Sequence, residues 1–434
     1  MTAKSLSRRK FIKRAAQTAA AFTILPSWVR GQAPSDQLTR AVIGTGAMGM
    51  GHVAGNALGL NDGSKLLAVC DVDSGHLATA LSGQTGVQGY KDFRDVLARP
   101  DIDIVHIATP PHWHALMSIA AAEAGKDIWC EKPMSRTIGE GLEVLDAVQR
   151  HGRIFRLNTW FRFTGQSSIY GNDFYGAGVP ARDMRKMIIA GLLGSPVTAT
   201  IGAGTGFDWK LSAWSGQQNL APQTVPASLD YDMWLGPAPY KPYNSNRIHQ
   251  VFRGYWDYDN GGLGDMGQHY LDPFQYILGK DNESPVEIIP DSDPQPYDAV
   301  IPWRKVTLRY ADNTRIILDG VGTDLDLVKG PKGSIQKNFA TTIPNLKNQI
   351  LALPDPPAQL DNFTTAVTTR QKFGLNEMNG HRSCNLINLA AIAVRLGRPL
   401  NFDSTTQRFV NDDEANRHIF QPMRSPWNLR DGAI

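Results

Sequence analysis

Cysteine is scarce. Only Cys70, Cys130 and Cys384 occur in 434 residues, with no CxxC pair and no Cys/His spacing suited to zinc. That excludes a disulfide framework and a structural zinc module, and leaves the three thiols as small buried apolar groups. Repeats and low-complexity tracts are absent. With 42% hydrophobic and 20% charged residues, the composition is that of an ordinary globular protein rather than a disordered or fibrous one. Excess positive charge is also missing from the body of the chain. Residues 1–33 carry seven basic residues and no acid; without them the balance is 37 basic to 41 acidic. A mildly acidic body gives no electrostatic reason to expect nucleic-acid binding.

What those first 33 residues do contain is a pattern. Ser7-Arg8-Arg9-Lys10-Phe11-Ile12-Lys13 precedes an alanine-rich apolar run over 15–25, and Gly31-Gln32-Ala33 offers a small-residue cleavage context. A basic stretch, a short apolar stretch and then small residues is the grammar of an export signal. The run is too short to span a bilayer. The paired arginines resemble a twin-arginine signal, so a periplasmic or secreted protein is expected, with no membrane association beyond export.

From residue 39 the chain alternates between short apolar runs and helical stretches. Strands are expected at 39–43, 65–70, 103–108, 127–130 and from 154. Helices are expected from the 44–49 turn to about 58, and at 92–99, 114–124 and 138–149. Such alternation predicts a parallel sheet covered on both faces. After about residue 158 the rhythm changes. Helices are expected at 184–194, 263–278 and 383–396, a strand at 196–202, and a hairpin pairing 305–310 with 314–319 across Ala311-Asp312-Asn313. Segments 203–262 and 329–360, rich in Gly and Pro, read as loop. The fold class is therefore α/β: an N-terminal Rossmann doubly wound parallel sheet over 34–157, then an α+β domain over 158–434 with a mostly antiparallel open sheet.

Gly44-Thr45-Gly46-Ala47-Met48-Gly49 is a GxGxxG between a strand and a helix, and Asp71 follows Gly49 by 22 residues at the end of the second strand. That context reads as a dinucleotide-binding turn. Gly44 permits the tight turn, Gly46 the backbone's approach to a pyrophosphate, and Gly49 close helix packing. Ala47 and Met48 open the helix whose N-terminus faces the phosphates. Asp71 would accept from the ribose hydroxyls and repel a 2′-phosphate, favouring NAD over NADP.

Two further clusters are Ala108-Thr109-Pro110-Pro111-His112-Trp113-His114, continuing to Glu131-Lys132-Pro133, and Gly261-Gly262-Leu263-Gly264-Asp265-Met266-Gly267-Gln268-His269-Tyr270-Leu271-Asp272. With the glycine turn, these resemble the glucose–fructose oxidoreductase / inositol dehydrogenase / rhizopine-catabolism family, Gfo/Idh/MocA, over nearly the whole chain after residue 33. The resemblance implies that Thr109, Pro110 and Glu131 join the cofactor site and that Lys132 lies beside the nicotinamide and the substrate oxygen. It implies His269 as the acid/base, with Asp265, one helical turn away, as its partner. A helix-surface ion pair or a metal site are the other readings of that spacing. No third ligand is evident, so no metal is expected. Asp272 could bind a sugar hydroxyl or pair structurally. His114 could touch the cofactor or pack its helix. Arg162 falls where relatives carry a basic residue near substrate, although Trp160-Phe161 departs from their pattern.

The implied activity is an exported oxidoreductase acting on CH–OH groups, moving hydride between a tightly held NAD and a sugar, polyol or glycoside. Free NAD is not expected to be plentiful outside the cytoplasm, so the cofactor would be recycled in place. The same machinery could run a glycosidase cycle of oxidation, elimination, hydration and reduction. A non-catalytic sugar-binding protein on this scaffold is the reading from a different class. Trp209, Trp214, Trp234, Tyr255, Trp256 and Tyr258 offer faces for sugars or for core packing. Relatives often pair through the open sheet, so a dimer or tetramer is expected.

Overall fold

The computed structural model describes residues 37–55, 63–159, 161–166 and 171–429. The expected export leader, the expected end of the first helix near 58, and Trp160 lie outside them.

The first sheet has six strands: β1 (Thr39–Ile43), β2 (Lys65–Cys70), β3 (Gln88–Tyr90), β4 (Ile104–Ile107), β5 (Asp127–Glu131) and β6 (Phe155–Asn158). Their order is β3-β2-β1-β4-β5-β6, and every neighbouring pair is parallel. This is the doubly wound order of a dinucleotide-binding sheet, whose ligand crevice lies where the strand order reverses beside β1. Near-continuous apolar runs such as Ile104-Val105-His106-Ile107 are fully buried, as a sheet covered on both faces requires.

The second sheet has eight strands: β7 (Thr198–Ile201), β8 (Glu287–Ser292), β9 (Trp303–Arg309), β10 (Arg315–Asp319), β11 (Val328–Gly330), β12 (Gly333–Ile335), β13 (Leu400–Asp403) and β14 (Arg408–Phe409). The order is β12-β11-β7-β10-β9-β8-β13-β14, antiparallel except for β7 with β10. The expected hairpin is β9–β10, with Arg309 opposite Arg315. Helices Gly262–Ile277 and Glu377–Leu396 supply many of the apolar side chains packed with this sheet.

Several elements depart from the reading above. A helix at Ser74–Leu81 and the edge strand β3 were not expected. The helix expected at 184–194 spans Ala181–Ile189. The presumed loop 329–360 holds most of β11, all of β12 and a helix at Leu346–Leu351. The last long helix begins at Glu377 rather than 383, because Asn376 caps it by accepting from Met378 N at 3.0 Å. The first sheet's core also draws on late residues, including Phe363, Phe373, Cys384 and Trp427. Among the described residues, no helix is long and apolar enough to cross a membrane.

Candidate functional site

A cavity of about 770 Å³ opens at the carboxyl ends of the first sheet's strands. It runs from Gly44, Gly46 and Met48, past Asp71, to Glu131, Lys132 and Asp265. The three glycines differ in what they require. Gly44 has φ +85°, and a Cβ there would lie 2.8 Å from Ala108 and Thr109 backbone atoms. A Cβ on Gly49 would lie 1.8 Å from the Gly44 oxygen, so only glycine lets the helix start this close to the turn. Gly46 has no neighbouring atom within 4 Å of its notional Cβ and faces the cavity, leaving the backbone open to a large ligand.

Asp71 sits just past β2. Its Oδ2 accepts from Thr45 N at 2.7 Å and Thr45 Oγ1 at 3.0 Å, and its Oδ1 accepts from Asp73 N at 2.9 Å. Burial works upward on its pKa, but His76 and these backbone donors outweigh burial and hold it below the usual carboxylate value. Asp71 is therefore an ionised acid on the cavity wall.

Glu131 ends β5. Its Oε1 accepts from Asn158 Nδ2 at 2.7 Å and lies 2.8 Å from His52 Nε2. Burial alone would raise its pKa, yet His52 and Lys132 hold it at about 2. Its Oε2 is buried with no hydrogen-bond partner among the described residues, and Glu131 is one of the residues lining the cavity. An ionised oxygen left without a donor is an acceptor kept for a bound group. The open Gly46 backbone, Asp71 and this oxygen together fit a nicotinamide dinucleotide.

Lys132 follows, with a cis peptide to Pro133. Its Nζ donates to the main-chain oxygen of Asp265 and lies 3.3 Å from Asp265 Oδ1. Asp265 is also held by Arg253 Nε, donating to Oδ1 at 2.6 Å, and Trp214 Nε1, donating to Oδ2 at 2.6 Å. Burial opposes ionisation, but Lys132 and Arg253 keep its pKa at about 2. The side-chain oxygens of Asp265 thus accept from three donors, Lys132, Arg253 and Trp214. His269 lies a turn deeper on the same helix and is not among the cavity-lining residues. Burial and the Lys132 charge push its pKa down to about 3, so its ring is neutral.

Arg162 departs from its expected role, while Asp272 and His114 each take the structural one of the two readings left open for them. Arg162 and Asp272 do not face the cavity. They form a fully buried pair at 2.7 Å, extended by Asp281 at 2.7 Å and by Thr159 donating to Asp272 at 3.2 Å. They fasten the first residues after β6 to the helix Gly262–Ile277 instead of binding substrate. His114 is buried away from the cavity, with Nδ1 2.6 Å from Pro133 O and Nε2 2.8 Å from Thr109 O. It bridges the two loops that do line the cavity. Of the six aromatics, only Trp214 and Trp234 line it; Trp209, Tyr255, Trp256 and Tyr258 are core.

The sequence reading missed Arg253 and Asp259. Arg253 lies over the Trp214 ring at 4.8 Å. Asp259 lines the cavity and accepts from Asn260 N at 2.8 Å. Its carboxylate occupies space that Gly264 vacates, since a Cβ there would lie 1.5 Å from Asp259 Oδ1. Burial pushes its pKa up to about 7; Arg253 works against that and Asp265 adds to it. The only available signal was an acid placed just before the glycine run 261–264.

Comparison with known proteins follows the same outline. A family model described as "Oxidoreductase family, NAD-binding Rossmann fold" matches residues 38–159, and one described as "Oxidoreductase family, C-terminal alpha/beta domain" matches 177–429. An "Inositol 2-dehydrogenase 3" from Saccharopolyspora erythraea is 30% identical over 159 residues, 36% of this chain and 42% of that protein. A "Glycosyl hydrolase family 109 protein" from Shewanella baltica is 33% identical over 172 residues, 34% of this chain and 38% of that protein. The match thus spans less than half the length of either relative. The WlbA dehydrogenase of Bordetella pertussis, solved with NADH and UDP-GlcNAcA, shares the fold at a TM-score of 0.56 and 16% identity, covering 85% of this chain and 99% of that one.

Proposed function

The chain belongs to the Gfo/Idh/MocA oxidoreductase family, and from that premise we propose that it moves a hydride between a nicotinamide dinucleotide and an alcohol carbon of a sugar, polyol or glycoside. The observation that carries this reading is a single cavity holding the glycine turn, Asp71, the unpaired Glu131 oxygen and Lys132. Sugar-related names among the relatives support the substrate class. When bound, the dinucleotide supplies the site that accepts or returns the hydride. The chain's own residues do the rest. Lys132 donates to the substrate oxygen and stabilises the charge that develops there. Ionised Asp265, clamped by Arg253 and Trp214, fixes the ammonium in place. Asp71 selects NAD over NADP. The basic and apolar pattern of residues 1–33 supports export by a twin-arginine route, with the cofactor retained and recycled.

We assign the proton to Asp259, because it lines the cavity whereas His269 is not among the lining residues. A base must be ionised to act, so kcat/KM for alcohol oxidation rises with pH through about 7 and levels above it. Asp259→Asn removes that inflection and His269→Gln leaves it. The reverse outcome returns the proton to His269.

The reading itself is tested by adding a panel of sugars, polyols and glycosides to the cofactor-loaded protein and following reduced-nicotinamide absorbance. Reduction by members of one sugar class is expected. A loaded protein that none of them reduces, and that no keto sugar reoxidises, contradicts the reading.

A further inference from the structure

A line of buried polar groups runs back from Glu131, and the chemistry described so far does not use it. The helix Ala47–Val53, which starts at the glycine turn, carries His52 in its last turn, fully buried. His106 comes from β4 and is equally buried. The two rings meet edge-on, with centroids 5.1 Å apart and planes at 83°. Both also pack on the Trp129 ring of β5, at 5.5 Å and 4.8 Å. Trp129 and Glu131 are two residues apart on that strand and share a face, which brings the Glu131 carboxylate to His52.

His52 Nε2 lies 2.8 Å from Glu131 Oε1, and His52 Nδ1 lies 3.0 Å from His106 Nδ1. An ionised carboxylate only accepts, so its partners assign a proton to His52 Nε2. Burial pushes His106 well below the usual imidazole value, so its ring is neutral. Its Nε2 is buried with no partner among the described residues. An unsatisfied buried nitrogen is costly, and an apolar side chain packed on Trp129 would avoid the cost. The polar pair therefore calls for a role, and its one outlet is Glu131. Burial works against the Glu131 charge; His52 leads the groups that oppose burial there, ahead of Lys132 and Asn158.

We propose that His52, backed by His106, is a positioning residue that holds Glu131 ionised with Oε2 unpaired, and that this fixed negative charge favours the oxidised, cationic nicotinamide over the reduced, neutral one. This rests on the dinucleotide reading above. The alcohol carbon gives up a hydride, a proton with two electrons, which cancels the positive charge of the ring. The hydroxyl proton passes to Asp259. A fixed carboxylate nearby opposes that cancellation and lowers the reduction potential of the bound couple. Glu131 directly precedes Lys132, the residue that the proposed function sets at the substrate oxygen, so its charge acts on the reacting end of the cofactor. The helix that opens at the glycine turn thus also sets, through His52, the charge at that end.

The test titrates the full chain with oxidised NAD and with NADH and compares the two dissociation constants. His52→Phe, which keeps a ring against Trp129 but has no donor, is expected to weaken NAD about tenfold and leave NADH within threefold. That tenfold change in the ratio raises the potential of the bound couple by about 30 mV. If the larger ring prevents folding, His52→Leu carries the same expectation. His52→Gln, which keeps a donor toward Glu131, is expected to restore the parental ratio to within threefold. Glu131→Gln, which removes the charge and leaves His52 in place, is expected to shift the ratio in the same direction by a similar factor. Equal weakening of NAD and NADH in the donorless variants, the mark of a merely structural role, overturns the proposal. An unchanged ratio in Glu131→Gln overturns it too. A parent protein that binds neither form overturns the underlying reading as well, and is distinguished by the parent titration alone.

Discussion

Lys132→Ala is expected to lower kcat/KM by about 10²–10⁴-fold while leaving dinucleotide affinity within a few-fold of the parent. The size follows from the position. Lys132 is a cavity-lining cation held against Asp265, and under the proposed function it is the donor to the substrate oxygen. Removing it takes away the donor to the substrate oxygen and leaves Asp265 with Arg253 and Trp214. An acid with its charge still partly balanced should keep its place, so the loss belongs to the reaction rather than to folding. Steady-state kinetics beside an NAD titration separates the two. A Lys132→Ala protein that keeps a tenth or more of parental kcat/KM would remove the lysine from the chemistry.

Arg162→Met is expected to act on stability instead, by about 3–5 kcal/mol, because it strands Asp272 in a site with no exposure and unpairs Asp281. In thermal melts this is a fall on the order of 10 °C. Adding Asp272→Leu should recover part of the loss, since the stranded carboxylate, rather than the missing guanidinium, dominates the cost. Were Arg162 a substrate contact, as its sequence position suggests, the variant would raise KM and leave the melt unchanged.

These two residues show how far the sequence carries. Arg162 and Asp272 were both legible as chemistry-bearing, but spacing along a chain does not say which way a side chain faces. Lys132 was legible because its neighbours Glu131 and Pro133 belong to a short contiguous pattern. The parallel sheet was legible for a related reason: strands buried on both faces become unbroken apolar runs. The helix Ser74–Leu81 escaped because Ser74, Gly75 and Thr79 dilute its pattern, and β3 because three largely exposed edge residues carry none. His249, Arg253 and Asp259 come from a segment without periodicity, where only folding brings residues to the cavity. Asp259 shows the limit best. Its perturbed acidity arises from burial and from the nearby Asp265, with Arg253 opposing, relations that exist in space alone.

The central claim is that the cavity holds a nicotinamide dinucleotide and presents it to Lys132. The most direct measurement is to purify the protein after native export, denature it, and identify and quantify any released nucleotide by mass and absorbance. The account predicts about one NAD or NADH per chain. Neither released nucleotide nor saturable binding of added NAD or NADP would contradict it.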